Sequence, residues 1–167
     1  MSNNIFQDWA NNKGYFKGRL ILMLFRLAHF SVSKKIYIIL FCWYLFLYRF
    51  FVEWLLGIEL SWNLTAGKGL KLYHGQSLIV NGNTVIGENC TLRHCTTIGN
   101  KTAESGNGVS DSPIIGNNVD IGANVCVLGN ITIGNNVIIG AGSIVVKSIP
   151  DNCVVAGNPA KIIKKLE

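Results

Sequence analysis

Beyond Tyr73 the chain contains no aromatic residue: all eight Phe, all four Trp and all five Tyr lie at or before that position. The rest of the chain must therefore close a core on small aliphatic side chains. Charge is also scarce, with Asp, Glu, Lys and Arg making up 14% of 167 residues, against roughly 25% in an average globular chain. With 49% hydrophobic residues the chain is not disordered. At 18.3 kDa it is too short for a separate cofactor domain. What remains is a membrane-associated protein or an assembly with large buried faces. Cysteine pairing is missing too. Cys42, Cys90, Cys95, Cys126 and Cys153 are odd in number and form no C-x-x-C, so metal and redox motifs have no support. Each is expected to fill a small buried position. The start, Met-Ser-Asn-Asn-Ile-Phe-Gln-Asp, lacks a basic region followed by an apolar core, so no secretory signal is visible and the expected compartment is the cytoplasm.

What is present divides near Gly57. Only Gly14, Gly18 and Gly57 of the 18 glycines precede Ile58. Residues 1–58 carry seven basic side chains (Lys13, Lys17, Arg19, Arg26, Lys34, Lys35 and Arg49) against Asp8 and Glu53, so nearly all of the formal +6 belongs there. We read 1–57 as a hydrophobic, basic, α-helical segment and 58–167 as a repeat domain. From Phe16 to Leu56 there is no Pro, and a polar break at Ser31–Lys35 predicts two helices, the second capped by Ser33 and ended by Gly57. Its longest apolar run, Ile36 to Tyr48, spans only ~20 Å as a helix against a hydrocarbon core of ~30 Å. Arg49 and Glu53, four apart, can pair on one face. An interfacial or partner-packed helix is expected rather than a transmembrane one. Anionic lipid on the inner face of the plasma membrane is the expected partner if the segment is more than a structural face. Nucleic acid is not, because the basic residues lie among bulky aliphatics.

After Gly57 the period is six. Aliphatic residues recur at Val80, Ile86, Leu92 and Ile98, then at Ile115, Ile121, Val127, Ile133, Ile139 and Val145. Gly often follows, and Asn89, Asn117, Asn118, Asn124, Asn130, Asn135 and Asn136 occupy turn positions expected to need unusual backbone angles. A hexapeptide period marks a parallel β-helix in which three hexads close a triangular coil over an aliphatic core. The length allows six coils of about 18 residues with one interruption. Between Ile98 and Ile115 the polar, Gly-rich residues 100–112 must leave the coil as a loop, either a binding element or a tolerated insertion. Flat faces poor in charge and aromatics are expected to pack on copies of the same chain.

These motifs resemble the hexapeptide-repeat acyltransferases, in particular the serine acetyltransferases and the O-acetyltransferases of bacterial exopolysaccharide synthesis such as the colanic acid enzymes. The stretch Arg26-Leu27-Ala28-His29-Phe30 is similar to the helical preface of that family. Leu72-Tyr73-His74-Gly75 resembles its active-site motif, and Val155-Ala156-Gly157-Asn158-Pro159-Ala160-Lys161 its carboxy-terminal coenzyme motif. The resemblance implies an all-β solenoid of the left-handed parallel β-helix type, a homotrimer, and acetyl-coenzyme A as donor in the cleft between neighbouring prisms.

Acyl transfer to a hydroxyl needs a base, a group that fixes the base, and donors for the oxyanion. Histidine, with an ordinary pKa of about 6.5, is mostly neutral and basic at cytoplasmic pH. Of the three histidines, His74 matches the family's catalytic base, and His29 reads as a packing or capping residue. Glu59, 15 positions before His74, stands where the family carries the orienting carboxylate, or else is a solvated acid at the helix exit. His94 is either a substrate contact near the site or a satisfied structural histidine. Serine-specific relatives carry Arg-His before a Pro after the loop, to hold the amino-acid carboxylate. Here Asp111 and Ser112 precede Pro113, an acid that repels a carboxylate and two groups that can hydrogen-bond a carbohydrate acceptor. By the same resemblance Gly122, Ala123, Gly140 and Ala141 line the pantetheine arm and Lys161, with Lys164 and Lys165, meets phosphates, unless the lysines form only a solvated tail. No metal is expected. A zinc carbonic anhydrase needs three convergent histidines, and the repeat holds two. A serine O-acetyltransferase and a non-enzymatic, membrane-docked trimeric scaffold are the competing readings of the same pattern.

Overall fold

The computed structural model describes residues 4–102 and 111–166. From Ile58 onward the chain winds as a parallel β-solenoid with three faces, the left-handed parallel β-helix class with an N-terminal helical segment. The first face stacks Ile58–Leu60, Leu78–Val80, Thr97–Gly99, Cys126–Leu128 and Ile144–Val145; the second stacks Thr65–Ala66, Val85–Ile86, Ile114–Ile115 and Thr132–Ile133. The third stacks Lys71–Tyr73, Thr91–Arg93, Asp120–Ile121, Ile138–Ile139 and Cys153–Gly157, then closes with Ala160–Lys165 running antiparallel. One aliphatic from each short strand points inward, and Leu60, Leu72, Leu92, Ile98, Ile121, Val127, Ile133 and Val155 are all essentially inaccessible. No aromatic follows Tyr73, because each coil offers an inward position only to a side chain the size of Leu or Ile.

The turns between faces form three edges, and the asparagine-rich one shows why the sequence spends so many Asn residues. Asn89, Asn118, Asn136 and Asn152 all adopt φ of 55–57°, the left-handed region that Asn tolerates better than most residues. The side chains then stack: Asn135 Oδ1 accepts from the Asn117 backbone N–H at 2.8 Å, and Asp151 Oδ1 from that of Asn135 at 2.7 Å. Such ladders satisfy turn amides that would otherwise rely on water.

The structure differs from the expected repeat in three places. Five strands on the first face make between four and five turns, not six, because the chain ends as an antiparallel return instead of another coil. The interruption is not a coil short of one residue. Ile98 and Ile115 lie on consecutive faces, so 17 positions stand where a six-residue step would, and the excess is the loop. Residues 103–110 of that expected loop, 100–112, lie outside the described residues. The first coil is also longer than 18, since Leu60, Ala66 and Leu72 pair with Val80, Ile86 and Leu92, each 20 positions on. The two additional residues fall between Leu72 and Val80, in the turn that holds His74.

Residues 4–57 cap the open end of the solenoid. Helix α1 (Phe16–Ser31) lies against the strand Lys71–Tyr73 so closely that a Cβ at Gly18 would come within 2.6 Å of Leu72 O. The exposed backbone of the first coil is met by side chains. Asn12 accepts from the Leu72 N–H and donates to Leu70 O, both at 2.9 Å, as a neighbouring strand would. Asp8 accepts from the Leu70 N–H at 2.9 Å, and buried Arg26 donates to Asp8 and to the carbonyls of Ala66 and Gly67. His29 Nδ1 bonds Trp62 O at 2.8 Å and its ring lies beside Phe25, so this histidine ties α1 to the first coil, in keeping with the expected packing or capping role. Helix α2 (Lys35–Tyr48) runs into a π-helical stretch, Arg49–Leu55, with Gly57 beyond its end at φ 62°. The predicted Arg49–Glu53 pair forms at 3.0 Å. Ser33 is not the cap; Lys34 holds that position, without a side-chain bond. Nor are the cysteines uniformly buried. Cys90 and Cys153 are, but Cys42 faces out from α2, Cys95 is exposed in a turn, and Cys126 is half-buried.

Candidate active site

The edge between the third and first faces gathers most of the residues singled out in the sequence. Tyr73 pairs in register with Arg93, which places His74 and His94 one above the other, their ring centroids 5.7 Å apart and nearly perpendicular. Farther along the same edge come Gly122–Ala123 and Gly140–Ala141. The turns are linked by backbone bonds from Cys95 N to Gln76 O, Asn124 N to His94 O and Gly142 N to Ala123 O, at 2.8, 3.1 and 2.9 Å. Histidines at one end and small residues toward the other thus line a continuous strip.

The His74 turn is held in an unusual shape. His74, Gly75 and Ser77 all have positive φ, at 67°, 76° and 55°. A Cβ on Gly75 would lie 3.2 Å from Ile58 and Leu72 side chains, so the turn packs directly on the core. Its exit is fixed by the Ser77 N–H donating to Gly57 O at 2.8 Å. Gln76, with its amide turned to satisfy both ends, donates to His74 O and accepts from Lys17 Nζ of α1, each at 2.7 Å. The imidazole itself is exposed. Its neighbours form a shallow pocket of about 330 Å³ lined by Tyr15, Tyr73, His74, Arg93 and His94. Tyr15 meets Tyr73 edge to face at 4.4 Å, and Lys71 and Arg93 both lie over the Tyr73 ring. The bond from Lys71, with the charges of Lys71 and Arg93, holds the Tyr73 phenol below its ordinary range. Arg93 is itself anchored by an ion pair with Asp120 and a 2.8 Å bond to Ile121 O. Among the described residues, the buried His94 Nδ1 has no hydrogen-bond partner.

Other expected residues lie elsewhere on the protomer. Glu59 points outward from the first strand of the first face, into a groove of about 410 Å³ that it shares with Arg49, Glu53, Ser61 and Asn81. No hydrogen bond joins it to His74 among the described residues. Its charge instead adds to burial in raising the pKa of Glu53, against the lowering effect of Arg49. Asp111 and Ser112 sit where the chain re-enters the solenoid, at the far edge of the first face. Buried Ser112 donates to Asn81 Oδ1 at 3.1 Å, and exposed Asp111 accepts from Asn130 at 3.5 Å. Within one protomer they do not meet His74. The glycines of the strip have a packing reason of their own, since a Cβ at Gly122 would lie 2.5 Å from Ala141 N, and one at Gly140 2.9 Å from the Ala156 Cβ. Ala141 and Gly142 are exposed, and Gly142 has open space where a side chain would stand. Lys161 is exposed on the antiparallel return. Sequence reasoning does not single out Tyr15, Tyr73 or Arg93 as site residues. Tyr73 and Arg93 adjoin the histidines and are within its reach, whereas nothing local marks Tyr15.

Comparison with known proteins bears on the family and the fold. Residues 112–147 match the family described as bacterial transferase hexapeptide (six repeats). Over 162 residues, 95% of this chain and 98% of the relative, the sequence is 39% identical to an Escherichia coli K12 protein, WcaB, whose name assigns it to colanic acid biosynthesis as an acetyltransferase. A crystal structure of a serine O-acetyltransferase from Brucella melitensis superposes with a TM-score of 0.77 at 29% identity, covering 99% of this chain and 66% of that one. A Brucella abortus serine acetyltransferase crystallised with coenzyme A gives 0.75 at 32%, covering 92% and 58%. The chain thus spans roughly three-fifths of the length of these crystallised enzymes. Six-residue periodicity, solenoid, histidine edge and a near full-length relative lead to one assignment: the chain belongs to the bacterial hexapeptide-repeat transferases and is an acyltransferase of that family.

Proposed function

We propose that the protein transfers the acetyl group of acetyl-coenzyme A to a sugar hydroxyl of a bacterial exopolysaccharide or its lipid-linked precursor. The observation that carries this reading is coverage: the match to WcaB runs nearly end to end in both chains, while the serine acetyltransferases extend well beyond this chain. The acid at Asp111, before Pro113, supports it, since a carboxylate-bearing acceptor would be repelled there. The second reading, serine O-acetylation, draws on the superposition with serine acetyltransferases at 29–33% identity. Purified protein given L-serine and acetyl-coenzyme A is expected to release no free thiol above background.

Acetyl-coenzyme A, when bound, supplies the thioester carbonyl that the acceptor oxygen attacks. Neutral His74 takes the proton from the acceptor hydroxyl and returns it to the departing thiolate. His94, which lines the same pocket, contacts the acceptor beside it. Glu59 holds the His74 tautomer by the family's spacing of 15 residues, a role that follows from that pattern and not from a contact within the protomer. The low strip Ala123–Ala141–Gly142 leads toward Lys161 and admits the pantetheine arm without obstruction. The working unit is a homotrimer, in which Asp111 and Ser112 of one protomer reach the histidine edge of the next. The enzyme acts in the cytoplasm, with residues 1–57 at the inner face of the plasma membrane. Mass spectrometry of surface polysaccharide from cells with and without the protein tests the reading. An acetyl group lost with the protein supports it; an unchanged acetylation pattern contradicts it.

A further inference from the structure

We propose that the helix Lys35–Leu55 lies flat in the surface of an anionic bilayer, and that the saccharide reaching His74 is therefore carried on a lipid. The choice of acceptor rests on the sugar-acetylating reading above, while the membrane contact does not. An 18-residue window of this 21-residue stretch has a mean hydropathy of 1.7, yet only 17% of that window is buried. Ile39, Trp43, Phe46, Trp54 and Leu55 are 61–70% exposed. As a helix of ~31 Å it is long enough to cross a bilayer, more than its longest apolar run suggests, because the π-helical stretch continues it past Arg49.

Its inner side forbids an upright pose. Tyr44, Leu45, Tyr48 and Val52 pack on the protein, and the Tyr48 hydroxyl donates to Leu60 O at 2.7 Å. The middle of the helix is thereby fastened to the first coil. Crossing the membrane would drag the Arg49–Glu53 pair and the polar turn Ser61–Asn63 into hydrocarbon, where unsatisfied backbone groups are not tolerated. Lying in the interface immerses only the outward face. A second copy of the chain is a poorer occupant. Protein interfaces carry about one hydrogen bond per 100–200 Å². Beyond Tyr37 the outward side chains offer two indoles, the Cys42 thiol and Arg49, itself paired with Glu53. Acyl chains ask for no such partners, and Trp43 and Trp54 suit the headgroup boundary. The charge matches as well. Lys34 and Lys35, both exposed, stand at the head of the helix, and no acid pairs with either among the described residues.

The helix also leads to the site. Two residues beyond its end, Gly57 O accepts the Ser77 N–H that closes the His74 turn. A helix seated at headgroup depth therefore holds that turn beside the lipid surface, where a lipid-borne saccharide arrives already concentrated. A nucleotide sugar gains nothing from such an anchor.

The test uses the full chain and vesicles of phosphatidylcholine with or without a quarter phosphatidylglycerol, comparing wild type with the double variant Trp43→Glu, Phe46→Glu. Both sites are outward, so folding is retained, which circular dichroism checks. Wild type is expected to partition onto anionic vesicles about 10-fold more strongly than the variant, with both chains in the same oligomeric state by light scattering. Equal partition overturns the membrane contact. A change of oligomeric state in the variant does so too, because it assigns the face to a contact between copies. A lipid-linked saccharide in vesicles should be acetylated about 10-fold faster than the same saccharide freed from lipid, and the variant should lose that preference. Equal rates on the two overturn the choice of acceptor. Failure to acetylate either one counts against sugar acetylation itself and leaves the partition result standing.

Discussion

His74 and Glu53 show how differently two titratable side chains can be legible. His74 stands out because it sits in a short motif, Tyr-His-Gly, whose small following residue leaves the ring open. Counting one coil places His94 near it. The count succeeds because the coil is in fact 20 residues there, lengthened by the His74 turn itself. Glu53 is readable only as half of an i,i+4 pair. Its environment is not, because burial against the first coil is a tertiary event. Burial, the largest effect, raises its pKa despite the bond from Arg49. A carboxyl with a raised folded-state pKa binds its proton more readily in the fold than when unfolded. Stability is therefore lost as pH rises through that pKa and regained as pH falls. Glu53→Gln should accordingly be at least as stable as wild type at pH 7, with any advantage shrinking on acidification, as measured by thermal unfolding at both pH values. A variant clearly less stable at pH 7 would mean that the Arg49 pair outweighs the burial.

Among the elements, the solenoid is legible and its cap is not. One aliphatic per six residues, with Asn and Gly at the turns, is a local signal that repeats, so each coil confirms the next. The cap is built from contacts between residues 58 to 62 apart, such as Asn12 with Leu70 and Leu72, and Asp8 with Leu70. A sequence holds no local mark of such pairs. For the same reason Arg26 reads in sequence as surface charge when it is interior, paired with Asp8 at 2.7 Å and only 6% exposed. Asp8→Ala strands that guanidinium and should cost about 3–5 kcal/mol in denaturant unfolding. A loss under about 1 kcal/mol would show that the cap does not depend on the pair. Gly18→Ala tests the seat of α1. A methyl 2.6 Å from Leu72 O must push the helix away from the coil, and a loss of about 1–3 kcal/mol is expected. An unchanged midpoint would mean that α1 slides freely on the strand.

The whole molecule is a division of labour that the composition announces. Most aromatic residues and most of the net positive charge belong to a segment that caps the prism and presents one apolar helix face outward, while aliphatics at a six-residue beat fill the prism. The histidine edge and the strip of small residues share one side of that prism, whereas Glu59, Asp111 and Ser112 lie on or across the first face. In the proposed reading a neighbouring protomer completes the site, and the sequence can place these residues near one another only through family likeness. Light scattering should give a mass of three chains, with loss of the trimer accompanied by loss of transfer. A fully active monomer would contradict the shared site.

The most direct test of the account is the rate of thiol release from acetyl-coenzyme A, measured with the saccharide acceptor isolated from cells lacking the protein, for wild type and His74→Ala. The account predicts a rate lower by about 10²-fold or more in the variant, with an unchanged unfolding midpoint and unchanged acetyl-coenzyme A binding. A His74→Ala protein that transfers acetyl groups at a near-normal rate would contradict it.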